Sequence, residues 1–302
     1  MIGVVVVDAG EYPPVLGVPA PLRAALTMQQ AGATAVCFSG EGAAAWADAF
    51  RRDDRRGVEV IDAAPLREDP RVTVDGGVVF DRATLTRAFA SPCLAWIGDA
   101  VVLSHRSQGA DEVALVDDGA PDLDLAPDAL CLRAREPADV ALVEDGLLQR
   151  LRKPQDGIVA RALNRSLSLS LTRVLARTPL RPNDLSFSIL FVGLAGAALA
   201  STGERLPLAL GGLLFQAQSV LDGCDGELAR VTFRGSKLGE WIDTVGDDIT
   251  NYAFFGALGA GLWRAGLGEG ALWLALAAVS LGSLCSLIEY RLPLTPSAAE
   301  TS

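Results

Sequence analysis

Four aspartates set into apolar sequence constrain this chain more than any other feature. Asp222 and Asp225 follow the apolar run 206–221, and Asp243 and Asp247 precede the apolar run 249–263. Spacings of three and four place each pair on one face of a helix, so four carboxylates can point into one cleft. Both helices are of membrane length. A carboxylate at the bilayer centre costs roughly 2.5–3.5 kcal/mol on insertion scales, and such residues mark a pathway or a site. Four like charges in one cleft also repel. A divalent cation removes both problems, and hard oxygen ligands of this kind suit magnesium or manganese. Gly226 and Gly239 leave bare backbone where a bulky ligand would approach, and Arg230 supplies a planar cationic fork for a phosphate. Together these groups describe a diphosphate site.

The pattern of Asp222, Asp225, Gly226, Ala229, Arg230, eight further residues, then Gly239, Asp243 and Asp247 resembles the signature of the CDP-alcohol phosphotransferases. These integral membrane enzymes join an alcohol to the phosphoryl group of a CDP-alcohol and release CMP. Every fixed position is present. The resemblance implies that Asp222, Asp225, Asp243 and Asp247 hold one or two Mg2+ or Mn2+ ions, and that Asp247 also takes the proton from the attacking hydroxyl. It implies that Arg230 binds phosphate, that Gly226, Ala229 and Gly239 help to admit the CDP-alcohol, and that the protein is a homodimer.

Charge divides the 302 residues into two parts. Of the 26 Lys and Arg and 37 Asp and Glu, residues 1–149 carry 12 and 24, whereas residues 150–302 carry 14 and 13. The net charge of -11 therefore belongs to the first half, and the half-hydrophobic composition reads as an acidic soluble domain ahead of a membrane domain. With no basic face to neutralise phosphates, nucleic-acid binding is disfavoured. The five cysteines are scattered without a C-x-x-C spacing, which suggests neither a zinc site nor a disulfide framework. Cys224, inside the motif, reads as a small apolar filler. The apolar start, residues 2–7, has no basic leader and reads as a buried strand, not as a signal peptide.

In residues 1–149, strands are expected at 2–7, 34–38, 58–61, 72–80 and 93–102, with helices at 22–32, 42–52 and 82–89. That alternation argues for a three-layer α/β domain with a mostly parallel sheet. The order of pieces resembles the sugar-phosphate nucleotidyltransferases: an opening strand and loop, Gly17 to Leu22, a helix ending in Ala31-Gly32-Ala33, and Ile97-Gly98-Asp99. Asp99 matches that family's metal-binding aspartate. The opening loop, however, holds Asp8, Gly10 and Glu11 where the family has a glycine-rich phosphate cradle, and Ala20 stands where a lysine is expected. A degenerate, non-catalytic nucleotidyltransferase-like domain is the expectation. His105, the single histidine, reads as a loop residue near a strand end.

Residues 150–182 form a basic juxtamembrane linker. Residues 121–127 read as a loop, 136–152 as a helix, and 158–176 as a helix with leucines on one side and arginines on the other, lying in the interface plane. The run Lys153-Pro154-Gln155-Asp156-Gly157, Leu163-Asn164-Arg165 and Arg181-Pro182-Asn183 resembles the junction of fused proteins, di-myo-inositol phosphate phosphate synthases, in which a cytidylyltransferase domain precedes a CDP-alcohol phosphotransferase domain. Lys153 and Arg165 are candidates for an acceptor phosphate or a lipid headgroup.

Residues 183–302 form an all-α membrane domain with four expected spans, at 185–200, 206–221, 238–263 and 271–288. Members of the family usually have six, so the helices that enclose the acceptor cavity are expected to be short by a pair. Small residues, Gly193, Ala195, Gly196, Gly211, Gly212, Gly256 and Gly259, allow close helix packing. Basic residues beside the first span place the N-terminal domain and the site on the cytoplasmic side of the cell inner membrane. The expected activity moves a substituted phosphoryl group from CDP-inositol or CDP-diacylglycerol to an acceptor such as inositol phosphate. The alternative is a catalytically impaired CDP-alcohol-binding or regulatory protein.

Overall fold

A computed structural model describes residues 1–8, 10–62, 71–90, 94–97, 100–106, 130–152 and 164–291, except the side chains of 94–97, 100–106 and Glu289. The chain divides into two compact units, Met1–Leu151 and Arg152–Ser302.

The first unit is built on β1 (Ile2–Val7), a run of β-branched residues in which Val4, Val5 and Val7 are buried. Around it lie the hairpin β2 (Pro14–Val15) and β3 (Val18–Pro19), then α1 (Ala20–Ala31), β4 (Ala35–Gly40), α2 (Ala43–Arg51) and β5 (Glu59–Ile61). The chain continues through β6 (Arg71–Asp75), β7 (Val78–Phe80), α3 (Arg82–Ala90), β8 (Leu94–Ile97), β9 (Ala100–Arg106), β10 (Cys131–Arg133) and α4 (Pro137–Gln149). The main sheet has the order β5-β4-β1-β6-β9-β8. Its β5-β4-β1-β6 portion is parallel, as alternating strands and helices predict, and β9 and β8 extend it antiparallel.

Two strand expectations are corrected. Gly76 and Gly77 turn the chain between β6 and β7, so 72–80 is two strands in two different sheets. Residues 93–102 are likewise not one strand: β8 pairs antiparallel with β9, and His105 lies within β9 opposite Val72. Gly98 and Asp99, and the loop 121–127, lie outside the described residues. So does the start of the helix expected at 158–176.

Helix α1 is buried along nearly its whole length, Ala20 to Met28, and it presses on β1: a Cβ on Gly3 would stand 2.6 Å from Met28 Sδ. Burial of Leu26, Met28, Val5 and Val36 stabilises the unit by roughly 1.5–3 kcal/mol for each side chain. The β2–β3 turn passes through Leu16 at φ 46° and Gly17 at φ 74°. The Leu16 N–H donates 3.0 Å to the carboxylate of Glu144, a fully buried acid of α4.

The second unit is helical: α5 (Arg165–Leu175), α6 (Pro182–Ala200), α7 (Arg205–Val231), α8 (Lys237–Leu262) and α9 (Gly270–Arg291), with a π-turn over Trp263–Leu267. Helix α6 packs along both α7 and α8, α9 packs on α8, and α5 on α7. Glycine permits these approaches. A Cβ on Gly193 would stand 2.6 Å from Thr250 of α8, and one on Gly211 would stand 2.6 Å from the Gly196 carbonyl. By contrast, Gly212 and Gly256 meet nothing within 4 Å. Phe215 and Phe254 stack at 4.1 Å between ring centroids beside buried Ala197 and Ala200.

All four segments expected to span are helices, and two of them, Pro182–Ala200 and Gly270–Ile288, are long and apolar enough to cross a membrane. Helices α7 and α8 have the length, at 27 and 26 residues, but carry the motif acids and bases. Trp273, Leu274, Leu281 and Leu284 of α9 are exposed, as side chains facing lipid would be.

Candidate active site

The acids converge because α7 and α8 form a hairpin. Asp222 and Asp225 lie within the last three turns of α7, and Asp243 and Asp247 within the first three of α8. At 1.5 Å per residue, all four are within about 15 Å of the same connecting turn. Carboxylate oxygens of Asp222, Asp225 and Asp243 lie within 4.8 Å of one another. Asp247 lines the same cleft as Asp222 and accepts from Gln218 Nε2 at 3.3 Å. The donor set fits a hard divalent cation: oxygen only, anionic, and spaced to share one centre.

A second cavity, of about 160 Å3, opens beside the acids. Asp225, Asp243 and Ser186 belong to both. Its wall includes the four positions assigned to the CDP-alcohol, Gly226, Ala229, Arg230 and Gly239. The nearest atoms to a Cβ on Gly226 would be those of the Arg230 guanidinium, at 3.5 Å. Gly239 is tighter: a Cβ there would lie 3.0 Å from Asn183 Oδ1 and 3.1 Å from Ser236 Oγ. The Gly239 N–H is capped by Ser236 Oγ at 3.0 Å, which starts α8 at the mouth of the cavity.

Arg165 is not in the wall of either cavity. Its guanidinium donates 2.6 Å to Glu227, and its side chain is 13% exposed. Lys153 lies outside the described residues. Sequence reasoning gave no role to Ser186, Asn183, Gln218 or Glu227. Ser186, on α6, donates to Asp225 Oδ2. Only Glu227 carried a signal in the sequence, as a further acid inside the motif on a different helix face from Asp225.

In the first unit, the carboxyl ends of β1 and β6 meet where the strand order reverses, the place at which open α/β sheets bind ligands. Here Arg135 fills that place. It donates 2.7 Å to Asp8 and 3.4 Å to Asp75, and its guanidinium carbon lies 4.5 Å from the Tyr12 ring centre. A Cβ on Gly77 would stand 2.1 Å from Arg135 Nε, and one on Gly10 2.7 Å from its Nη1. The Arg135 hydrogen bond, with help from the Gly10 N–H, holds the Asp8 carboxyl well below the usual carboxylate range.

Residues 180–292 match the sequence profile of the CDP-alcohol phosphatidyltransferases, so the helical unit carries a domain of that family. Three relatives, each named a bifunctional IPC transferase and DIPP synthase, share part of the chain. That of Aquifex aeolicus is 39% identical over 103 residues, 34% of this chain and 23% of the relative. That of Archaeoglobus fulgidus is 38% identical over 99 residues, 33% and 19% of the two lengths. That of Rubrobacter xylanophilus is 35% identical over 127 residues, 41% and 28%. The matched stretch spans less than a third of the length of these relatives.

Proposed function

We propose that the protein is an integral membrane CDP-alcohol phosphotransferase whose centre is the cleft between α7 and α8. The observation that carries this reading is the meeting of the three acidic side chains with an arginine-lined cavity whose wall holds every position the signature assigns to the nucleotide. Asp222, Asp225, Asp243 and Asp247 would hold one or two Mg2+ or Mn2+ ions. When bound, such ions neutralise the diphosphate and polarise the phosphoryl group. Arg230 binds a phosphate oxygen, while Gly226 and Ala229 leave room for the cytidine. Asp247 accepts the proton of the acceptor hydroxyl as its oxygen bonds to phosphorus and the bond to CMP breaks.

The donor is CDP-inositol or CDP-diacylglycerol, and the acceptor a polar alcohol such as inositol phosphate. The junction's resemblance to the di-myo-inositol phosphate phosphate synthases favours an inositol-based pair. All four long helices cross the membrane, in a homodimer. Arg177, Arg181, Arg234, Lys237 and Arg291 lie at the site end of the bundle, against Arg205 and Arg264 at the other, which supports a site facing the cytoplasm of the cell inner membrane. The first unit is a non-catalytic nucleotidyltransferase-like domain, a reading supported by the arginine in its strand-end crevice.

The test is CMP release by membranes given each CDP-alcohol with inositol phosphate. Asp247→Asn should abolish release without loss of protein. Turnover by the wild type with all divalent metal removed would refute the mechanism. Cytidine nucleotide binding with no product from either donor would point to the impaired, regulatory alternative.

A further inference from the structure

We infer that Glu227 is a positioning residue for the acid cluster, holding α5 against the back of the motif turn. The inference rests on the divalent-ion reading of that cluster. Glu227 is fully buried, two residues beyond Asp225, and each of its oxygens is engaged. Oε1 accepts from Arg165 Nη1 at 2.6 Å and from Ser168 Oγ at 2.8 Å, and Oε2 accepts from Thr172 Oγ1 at 2.7 Å. The three donors are spaced three and four apart, so they occupy one face of α5 over two turns. Apolar helix contacts tolerate small slides, whereas three donors on two oxygens fix both the rotation and the axial position of α5.

What α5 then touches is the motif itself. Ser168 sits on Gly223, where an added Cβ would lie 3.4 Å from both Ser168 Cβ and Oγ. The Cys224 thiol donates 3.5 Å to the Ser168 carbonyl. Gly223 and Cys224 are the two residues between Asp222 and Asp225, so Ser168 backs the turn that presents those carboxylates. The Arg165 guanidinium also balances the Glu227 charge, so this acid neither adds to the repulsion in the cleft nor competes for a cation. Loss of either member of this pair would remove the charge that balances the other in a buried setting.

The test is Mn2+ binding by the full-length protein in detergent, read by the electron paramagnetic resonance of free Mn2+, with Asp225→Asn as the site control. Groups that hydrogen-bond a metal ligand change affinity by roughly 10–100-fold; Glu227 acts on the ligands through Ser168, so Glu227→Gln should weaken binding by about tenfold, the lower end of that range. The Ser168→Ala/Thr172→Ala double variant keeps every charge and should weaken it several-fold, which guards against a Glu227 variant that fails to fold. In both, the metal concentration for half-maximal CMP release should rise in step while kcat at saturating metal stays within about twofold, a split that general destabilisation does not produce. Affinities within twofold of wild type in both variants overturn the role of Glu227 alone. Wild-type binding no tighter than that of Asp225→Asn overturns the divalent-ion reading and this inference with it.

Discussion

Ser186 Oγ donates a hydrogen bond to Oδ2 of Asp225, across the contact between α6 and α7, with both residues buried. The bond engages Oδ2 from a helix that carries no motif residue, while Oδ1 accepts from the Gly226 N–H at 2.6 Å, so the carboxylate plane is held from both α6 and α7. Ser186→Ala removes the donor with almost no change in volume. Loss of an outer-shell partner of this kind weakens metal binding or activity by about tenfold or more. A Mn2+ titration of the variant should show that weakening with little change in melting temperature. An unchanged affinity would mean that Asp225 is held by α7 alone.

The Asp8–Arg135 pair makes the first unit sensitive to acid in a direction that follows from its geometry. The folded Asp8 carboxyl titrates below the unfolded value of about 3.9, so the unfolded chain binds more protons between the two values and stability rises with pH there. The contribution is complete above about pH 4 and is lost as pH falls through the folded value. Asp8 is 60% exposed, so the effect is modest. Arg135→Met should therefore destabilise β1 at pH 7, and its difference from wild type should shrink below pH 4. Hydrogen–deuterium exchange of the β1 peptide across this range reads the difference. A gap that widens in acid would contradict the pairing.

The sequence shows some of this architecture and hides the rest for physical reasons. The β-branched run of β1 and the buried face of α1 were legible because burial on both sides leaves a continuous apolar string. The acid pairs were legible because helical spacing is local. The break at Gly76 and Gly77 was hidden, since an apolar string at 72–80 reads the same whether it stays in one sheet or crosses to another. The hairpin of β8 and β9 was hidden for the same reason. Ser186 and Gln218 were invisible: a serine or glutamine in a helix declares no partner until the neighbouring helix is placed. Arg165 was legible as a cation, but its engagement with Glu227, 62 residues away, belongs to tertiary structure.

Glycines in the helical unit separate into two kinds, which makes a paired prediction. A Cβ on Gly261 would lie 2.0 Å from the carbonyl oxygen of Ala200, a backbone atom that can yield only if α6 and α8 part. Gly261→Ala should cost about 3 kcal/mol or more, the upper end for overpacking. Gly212 in α7 meets nothing within 4 Å. Gly212→Ala should stabilise by up to about 1 kcal/mol through helix propensity alone. Thermal melts of the two variants in the same detergent give the comparison, and equal effects would show that the Ala200–Gly261 approach does not set the helix spacing.

Asp248 differs from Asp247 by one position on α8 and by its surroundings entirely. It accepts from Ser286 Oγ at 2.9 Å, Tyr252 Oη at 3.2 Å and Tyr290 Oη at 2.7 Å, joining α8 to α9. Gly282 leaves the space that the Tyr252 ring occupies, since a Cβ there would stand 2.8 Å from the ring. Asp248 does not line the acid cleft, whereas Asp247 does. Asp248→Ala takes an acceptor from three hydroxyls, of which Tyr252 Oη and Ser286 Oγ still bond each other at 2.7 Å, and should cost roughly 1.5–3 kcal/mol, the range for hydrogen bonds to a charged group. Mn2+ affinity of the folded protein should stay within about twofold of wild type, while Asp247→Asn should show the reverse, full stability with CMP release lost. Thermal melts and Mn2+ titrations of the two neighbours test this division. If Asp248→Ala loses metal binding while keeping its melting temperature, the residue belongs to the site and not to the α8–α9 contact.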